Sequence, residues 1–353
     1  MAEHILIIRF SALGDVAMLV PVVSSLARQY PDVQVTVLSR GFARPFFVGL
    51  AKNVDFIEAD VRNDYQGIQG LNRLYRELKE QDFTAVADMH GVLRSNYLRL
   101  RFNLSGYKVA HIDKHRAGKR RLVAQSGKVL EQQPTTFDNY AGVLAKLGYP
   151  VKLDFRSIFP ERGGDLSLLP STIGQKRHGE KWIGMAPFAA HDGKVYPLDR
   201  MEQVVKMLVE QHPEVRLFFF GAGNQEKKVI DGWCELYPRC VNASAQAAGL
   251  FQELIIMSHL DVMVSMDSAN MHFASLVNTP VVSVWGATHP YAGFMGWGQT
   301  LDNAVQKELE CRPCSIYGNK PCHRRDMACM NTIEPQDIIY KVEKLISTGR
   351  DKD

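Results

Sequence analysis

The sequence holds no uncharged apolar run near the roughly 20 residues that span a bilayer. Its opening stretch, His4 to Ile8 between Glu3 and Arg9, is too short and too charged for a secretory signal peptide. A cytoplasmic protein is the expectation. Charge of one sign is lacking too: 42 Lys and Arg stand against 38 Asp and Glu, a net +4. That is too weak for a general nucleic-acid binder, so no nucleic-acid partner is expected. The common nucleotide motifs are missing. The loop Ser11-Ala12-Leu13-Gly14-Asp15 has one glycine. Phe220-Gly221-Ala222-Gly223-Asn224 begins like GxGxxG, but Glu226 stands where the third glycine belongs. No GxxxxGK[ST] phosphate loop and no GxSxG elbow occurs. Nicotinamide oxidoreductases and P-loop kinases are thereby demoted.

Cysteine is scarce outside one stretch. Four of the six, Cys311, Cys314, Cys322 and Cys329, share a short Pro-, Gly- and charge-rich segment. The CxxC pair with two more thiols and His323 is a possible zinc set. Its second pair is spaced unlike a zinc ribbon, and free thiols or a local disulfide are the competing readings. No catalytic metal is expected.

What is present is an ordinary globular composition, 46% hydrophobic and 23% charged over 353 residues, long enough for two domains. Apolar runs at 4–8, 33–38, 54–59 and 84–89 read as buried strands. Helical patterns lie at 16–30, 42–50, 71–79 and 136–147. Periodicity fades between Pro150 and Lys181, and the alternation then restarts. Strands are expected at 182–186, 215–220, 261–265 and 281–285, with helices at 201–211, 225–236, 251–259, 268–276 and 335–345. Continuous apolar strands separated by helices mean parallel sheets covered on both faces. The expected class is α/β. Two Rossmann-like domains at 1–160 and 181–353, joined by a linker at 161–180, would face each other across a crevice, the second carrying the cysteine-rich segment. Ligands of such folds bind outside the carboxyl ends of the strands.

Three strand-end loops carry polar groups: Ser11–Asp15, Phe188–Lys194, and Asp267–His272 with Ser268, Ala269 and Asn270. A helix N-terminus with small residues suits an anion, and Lys194 would add a mobile positive charge beside a diphosphate. The competing reading makes Asp15, Asp267 and Ser268 plain helix N-caps. Lys114, Arg116, Lys119, Arg120 and Arg121 crowd together after Arg94. They read either as a solvated loop or as a landing site for a phosphorylated or acidic substrate.

IRFSALGDVAMLVPVVSSLARQYPD and VSMDSANMHFASLVNTPVVSVWGATHP resemble the opening and the donor-site block of glycosyltransferase family 9, the bacterial heptosyltransferases. APFAAHDGKVYP stands at that family's phosphate-contacting loop. The resemblance covers nearly the whole chain and implies a GT-B fold and inverting, metal-independent transfer without a cofactor. It implies a nucleotide-sugar donor, ADP-heptose above others, and a lipid-linked glycan acceptor of the lipopolysaccharide core. By the same resemblance, Asp15 matches the catalytic base, with Lys194 meeting the leaving group. Ala189, Ala190 and Lys194 match donor phosphate contacts, and Glu226 lies near a ribose-contacting acid. Asp267 matches a sugar contact, with Ser268, Ala269, Asn270 and His272 around the pyrophosphate. Ser11, Gly14, Arg94, Lys114, Arg116, Lys119, Arg120 and Arg121 form the expected acceptor side, with peripheral contact to the inner membrane. Two departures bear on donor identity: Ala189 and Ala190 lack hydroxyls, and Asn270 and Met271 replace smaller residues. The rival readings are a two-domain nucleotide-sugar epimerase and a non-catalytic nucleotide-sugar binding protein.

Overall fold

A computed structural model describes residues 3–347. The described residues form two compact units, one of 3–114 and 134–158, the other of 115–133 and 159–347.

The first unit is built on five parallel strands: β1 (His4–Ile8), β2 (Gln34–Ser39), β3 (Val54–Glu58), β4 (Ala85–Asp88) and β5 (Lys108–His111). Their order is β3-β2-β1-β4-β5, with Ile5 beside Val35 on one side and Ala85 on the other. Ile5 to Ile8 are fully buried, as an apolar run between two helix layers must be. The helix expected over 16–30 is two helices, Leu13–Ala17 and Val20–Gln29. Pro21 lies in the first turn of the second, where its missing N–H costs nothing and a new helix starts readily. Pro45 likewise limits the expected 42–50 helix to a short 3-10 turn and Arg44–Phe47. The helix Leu93–Leu104 and strand β5 have no counterpart among the expected elements.

The second unit holds six parallel strands: β6 (Lys181–Ala186), β7 (Val215–Phe219), β8 (Cys240–Asn242), β9 (Val262–Met266), β10 (Val281–Val284) and β11 (Ala304–Val305). Their order is β11-β10-β9-β6-β7-β8. The core beneath them gathers Ile183, Met185, Phe219, Val264 and Val282 with Ile338, Ile339 and Val342 of the terminal helix Pro335–Ser347.

Residues 115–133, which the sequence reading places in the first domain, group with the second unit. Lys119 Nζ lies 4.3 Å from the Phe294 ring centre. Lys128 Nζ donates to the carbonyls of Glu310 and Pro313 at 3.0 and 3.1 Å, and Gln133 N–H donates to Tyr291 O. Among the described residues no helix is long and apolar enough to cross a membrane.

In each sheet the chain runs outward from a central strand and then returns to that strand's other side. The reversal falls between β1 and β4 in the first unit and between β6 and β9 in the second. Loops leaving the two strands at such a point diverge, which opens room at their carboxyl ends. Three of these loops are the ones the sequence singles out.

Candidate active site

In the first unit the residue after β1 is Arg9, only 7% exposed. Its Nη1 donates to the Met89 carbonyl at 2.6 Å, tying the end of β1 to the end of β4. Its Nη2 lies 2.9 Å from Asp15 Oδ2, and its guanidinium sits 5.6 Å from the Tyr140 ring centre. Burial works against the charge, but Asp15 and neighbouring groups outweigh it, so Arg9 is held above its ordinary range and stays a cation. Arg9 Nε is buried without a hydrogen-bond partner, so the fork is spent on Met89 and Asp15.

Asp15 is not an N-cap. It is the third residue of the helix Leu13–Ala17, whose cap position is Ala12. Its Oδ2 also accepts the Ala12 N–H at 3.2 Å, and Tyr140 Oη donates to the Asp15 carbonyl at 3.1 Å. The carboxylate, 30% exposed, is thus oriented from its own turn and from β1.

His90, just past β4, closes this cluster. Its Nδ1 faces the Phe10 N–H and its Nε2 the Ser11 hydroxyl, both at 3.4 Å. Burial, then the nearby Arg9, pushes His90 down to about 3, so it is a neutral imidazole. Asp88, fully buried, accepts the His90 and Gly91 N–H groups at 2.9 and 2.8 Å and meets Arg99 at 3.4 Å. It shapes the turn that presents His90. Ser11 and Gly14 are half-buried around the same point. Lys114 Nζ donates to Gly91 O at 3.2 Å, and Lys114 and Arg94 both act electrostatically on His90. Arg116, Lys119, Arg120 and Arg121 lie on the helix Arg116–Leu122 of the second unit.

In the second unit the loops after β6 and β9 are joined by one ion pair. Lys194 Nζ lies 2.9 Å from Asp267 Oδ2, with the two side chains 16% and 4% exposed. Lys194 is therefore a fixed charge rather than a mobile one. Thr288 Oγ donates to the same Asp267 oxygen at 2.8 Å. Behind Thr288 is Arg312, from the cysteine-rich segment and 4% exposed. Its guanidinium donates to the carbonyls of Gly286, Thr288 and Lys307 and to Gln306 Oε1, at 2.6 to 3.0 Å. Gly318 of that segment has φ +73°, and a Cβ there would fall 2.6 Å from Lys194 Cγ. Only glycine both adopts that backbone and leaves room for the lysine stem.

Ser268 occupies the cap position of the helix Ala269–Leu276 but makes no side-chain cap bond. Its hydroxyl meets Ser265 Oγ at 3.3 Å instead. Ala269 and Asn270 are half-buried in the first turn, and His272 is buried at 7%. Ala189 is half-buried and Ala190 exposed. Glu226 Oε2 accepts the N–H groups of Ala222 and Gly223 at 2.9 and 3.1 Å. In the broken GxGxxG loop, the amides that would face a pyrophosphate are held by the protein's own carboxylate.

All six cysteines are free thiols. Burial pushes Cys329 up to about 11, against thiolate chemistry at that position. Among the described residues no three His, Cys, Asp or Glu side chains gather closely enough to hold a metal ion.

Sequence reasoning missed Arg9, Asp88, His90, Tyr140, Thr288 and Arg312. Arg9 and Asp88 had a visible signal: a charge at the end of a buried strand requires a partner.

The family model for glycosyltransferase family 9 (heptosyltransferase) matches residues 71–322. Lipopolysaccharide heptosyltransferase 1 of Campylobacter coli is 24% identical, over 97% of this chain and 98% of that protein. Among solved structures, the glycosyl transferase family 9 protein of Veillonella parvula superposes with a TM-score of 0.74 at 18% identity, covering 99% of this chain and 98% of that one. The E. coli heptosyltransferase WaaC with ADP gives 0.68 at 14% identity, covering 97% and 100%. These likenesses show the fold, two doubly wound parallel sheets of the GT-B class. With well over half of its length matched by the family model, the chain belongs to glycosyltransferase family 9, the heptosyltransferases.

Proposed function

We propose that the protein transfers heptose from ADP-heptose to an acceptor of the lipopolysaccharide core, with inversion and without a metal ion. The observation that carries this reading is Asp15, a carboxylate fixed by Arg9 at the switch point of its sheet. An acceptor hydroxyl attacks poorly until a base takes its proton, and inversion places that base on the face opposite the departing diphosphate. Asp15 is that base. As the bond from the anomeric carbon to the diphosphate breaks, negative charge grows on the phosphate oxygens. Lys194 and the N–H groups at the start of Ala269–Leu276 meet it. Asp267 holds Lys194 in place until the diphosphate competes for it. The relatives support donor and acceptor: one carries lipopolysaccharide in its name and another was solved with ADP. A lipid-linked acceptor implies peripheral work at the inner face of the inner membrane.

Thermal shift across ADP-, UDP- and GDP-sugars tests the donor, because a bound donor stabilises the fold by mass action. ADP-heptose should raise Tm most, and turnover with lipopolysaccharide core acceptor should persist in EDTA. Turnover abolished by EDTA and restored by Mg²⁺ would contradict the metal-free step.

A further inference from the structure

The helix Leu93–Leu104 has two apolar faces. Leu98 and Phe102 are fully buried against the sheet. Leu93, Leu100 and Leu104, spaced by seven and four residues, share the opposite side at 88, 53 and 74% exposure. At 3.6 residues per turn they form one stripe pointing directly away from the core. Exposed Arg94 flanks the stripe on one side, where Arg101 turns back over the Tyr75 ring, and Asn96 and Asn103 lie on the other. The helix contains no acidic residue. Ile68, 67% exposed, begins the neighbouring helix Gly67–Lys79. Both helices start at the carboxyl edge of the sheet, where Asp15 and His90 lie.

We propose that this face docks the first unit on a bilayer, with the leucines among the acyl-chain ends and Arg94 on anionic phospholipid headgroups. An exposed leucine row flanked by arginines is the pattern of a helix that lies in a membrane interface. A second copy of the chain fits less well. Three leucines and an isoleucine fall well short of the ~800 Å² per partner that a stable protein interface buries, and Arg94 on each of two copies would repel. The inference deepens the transferase reading, since a lipid-linked acceptor is met at such a surface, but docking itself needs no turnover.

The test is co-sedimentation of the full chain, without nucleotide or acceptor, with phosphatidylcholine vesicles and with equimolar phosphatidylcholine–phosphatidylglycerol vesicles. Wild type should bind the anionic vesicles at least about tenfold better than the neutral ones. Leu93→Gln/Leu100→Gln/Leu104→Gln should stay folded with a Tm near wild type, because more than half of each side chain is exposed, and lose binding by about tenfold or more. Its kcat on a delipidated acceptor should stay at the wild-type value. Wild type that ignores anionic vesicles, or a triple variant that binds them equally well, would overturn the proposal. So would a wild-type dimer in analytical ultracentrifugation that the triple variant reduces to monomer, since the stripe would then belong to a second copy. Vesicle binding with no sugar transfer would fault the transferase reading and leave the docking surface standing.

Discussion

Arg9 gives Asp15 both a direction and an electrostatic setting, and the two can be separated by substitution. A cation at 2.9 Å favours the ionised carboxylate, so removing it makes proton loss harder. Arg9→Met should therefore move the acid limb of kcat/KM to higher pH. His90, Tyr140 and the more distant Asp88, Lys114 and Arg94 face the same cluster, and all remain in the variant. A lower Tm with an unmoved acid limb would make Arg9 a packing residue only. Lys194 invites a similar separation. Lys194→Ala leaves Asp267, 4% exposed, buried without its cation. That should cost roughly 3 kcal/mol of stability, while loss of the donor to the leaving group should lower kcat about a hundredfold or more. Lys194→Met/Asp267→Asn should recover most of the stability and none of the rate. A double variant that regains turnover would assign the pair to structure alone.

At the scale of elements, the cysteine-rich segment is a strut for the Asp267 loop. Arg312 reaches the carbonyls of Gly286 and Thr288, and Thr288 in turn holds Asp267. Arg312→Lys keeps a charge but loses the planar fork that serves four acceptors. It should lower Tm by several degrees and raise the donor KM more than it lowers kcat; an unchanged donor KM would remove the strut role. The buried strands of both sheets were legible because continuous apolar runs leave a parallel sheet few alternatives. Their ends were legible too, since the polar stretches holding Asp15 and Lys194 come shortly after β1 and β6, and Asp267 comes directly after β9. The helix Leu93–Leu104 was not legible. With leucines on both faces it has no single apolar stripe for a helical period to reveal. The groups built around Asp15 and Asp267 escaped for a different reason. Met89, Tyr140, Thr288 and Arg312 are brought in by tertiary packing, and no local pattern announces a contact across 80 or 125 residues.

For the whole molecule, buried His90 and half-buried His289 contribute to the loss of stability in acid. Burial pushes His90 down to about 3 and His289 down to about 4, from an ordinary 6.5. Their neutral forms fit the fold, whereas the unfolded chain takes up the protons near 6.5. The stabilising contribution is therefore complete above that pH and is lost as pH falls toward 4 and then 3. Each histidine should add up to about 1.4 kcal/mol per pH unit to the acid-side slope. In pH-resolved thermal denaturation His90→Gln should flatten that slope, and an unchanged slope would contradict the assignment. At the same scale, residues 115–133 show where sequence order misleads. Their basic helix follows the first sheet in the chain, yet Lys119 and Lys128 tie it to the second unit.

The central claim is that Asp15 takes the acceptor proton. Its carboxylate also accepts the Ala12 N–H in its own helical turn, so a structural role must be separated from a chemical one. Asparagine keeps the acceptor oxygen, occupies nearly the same space and cannot act as a base. The decisive measurement is the kcat of Asp15→Asn for sugar transfer, taken with its Tm and donor affinity. The account predicts a fall in kcat on the order of a hundred- to ten-thousandfold, with donor affinity near wild type and a lowered Tm, since buried Arg9 loses its counter-charge. An Asp15→Asn enzyme turning over at close to the wild-type rate would contradict it and leave Asp15 as Arg9's structural partner.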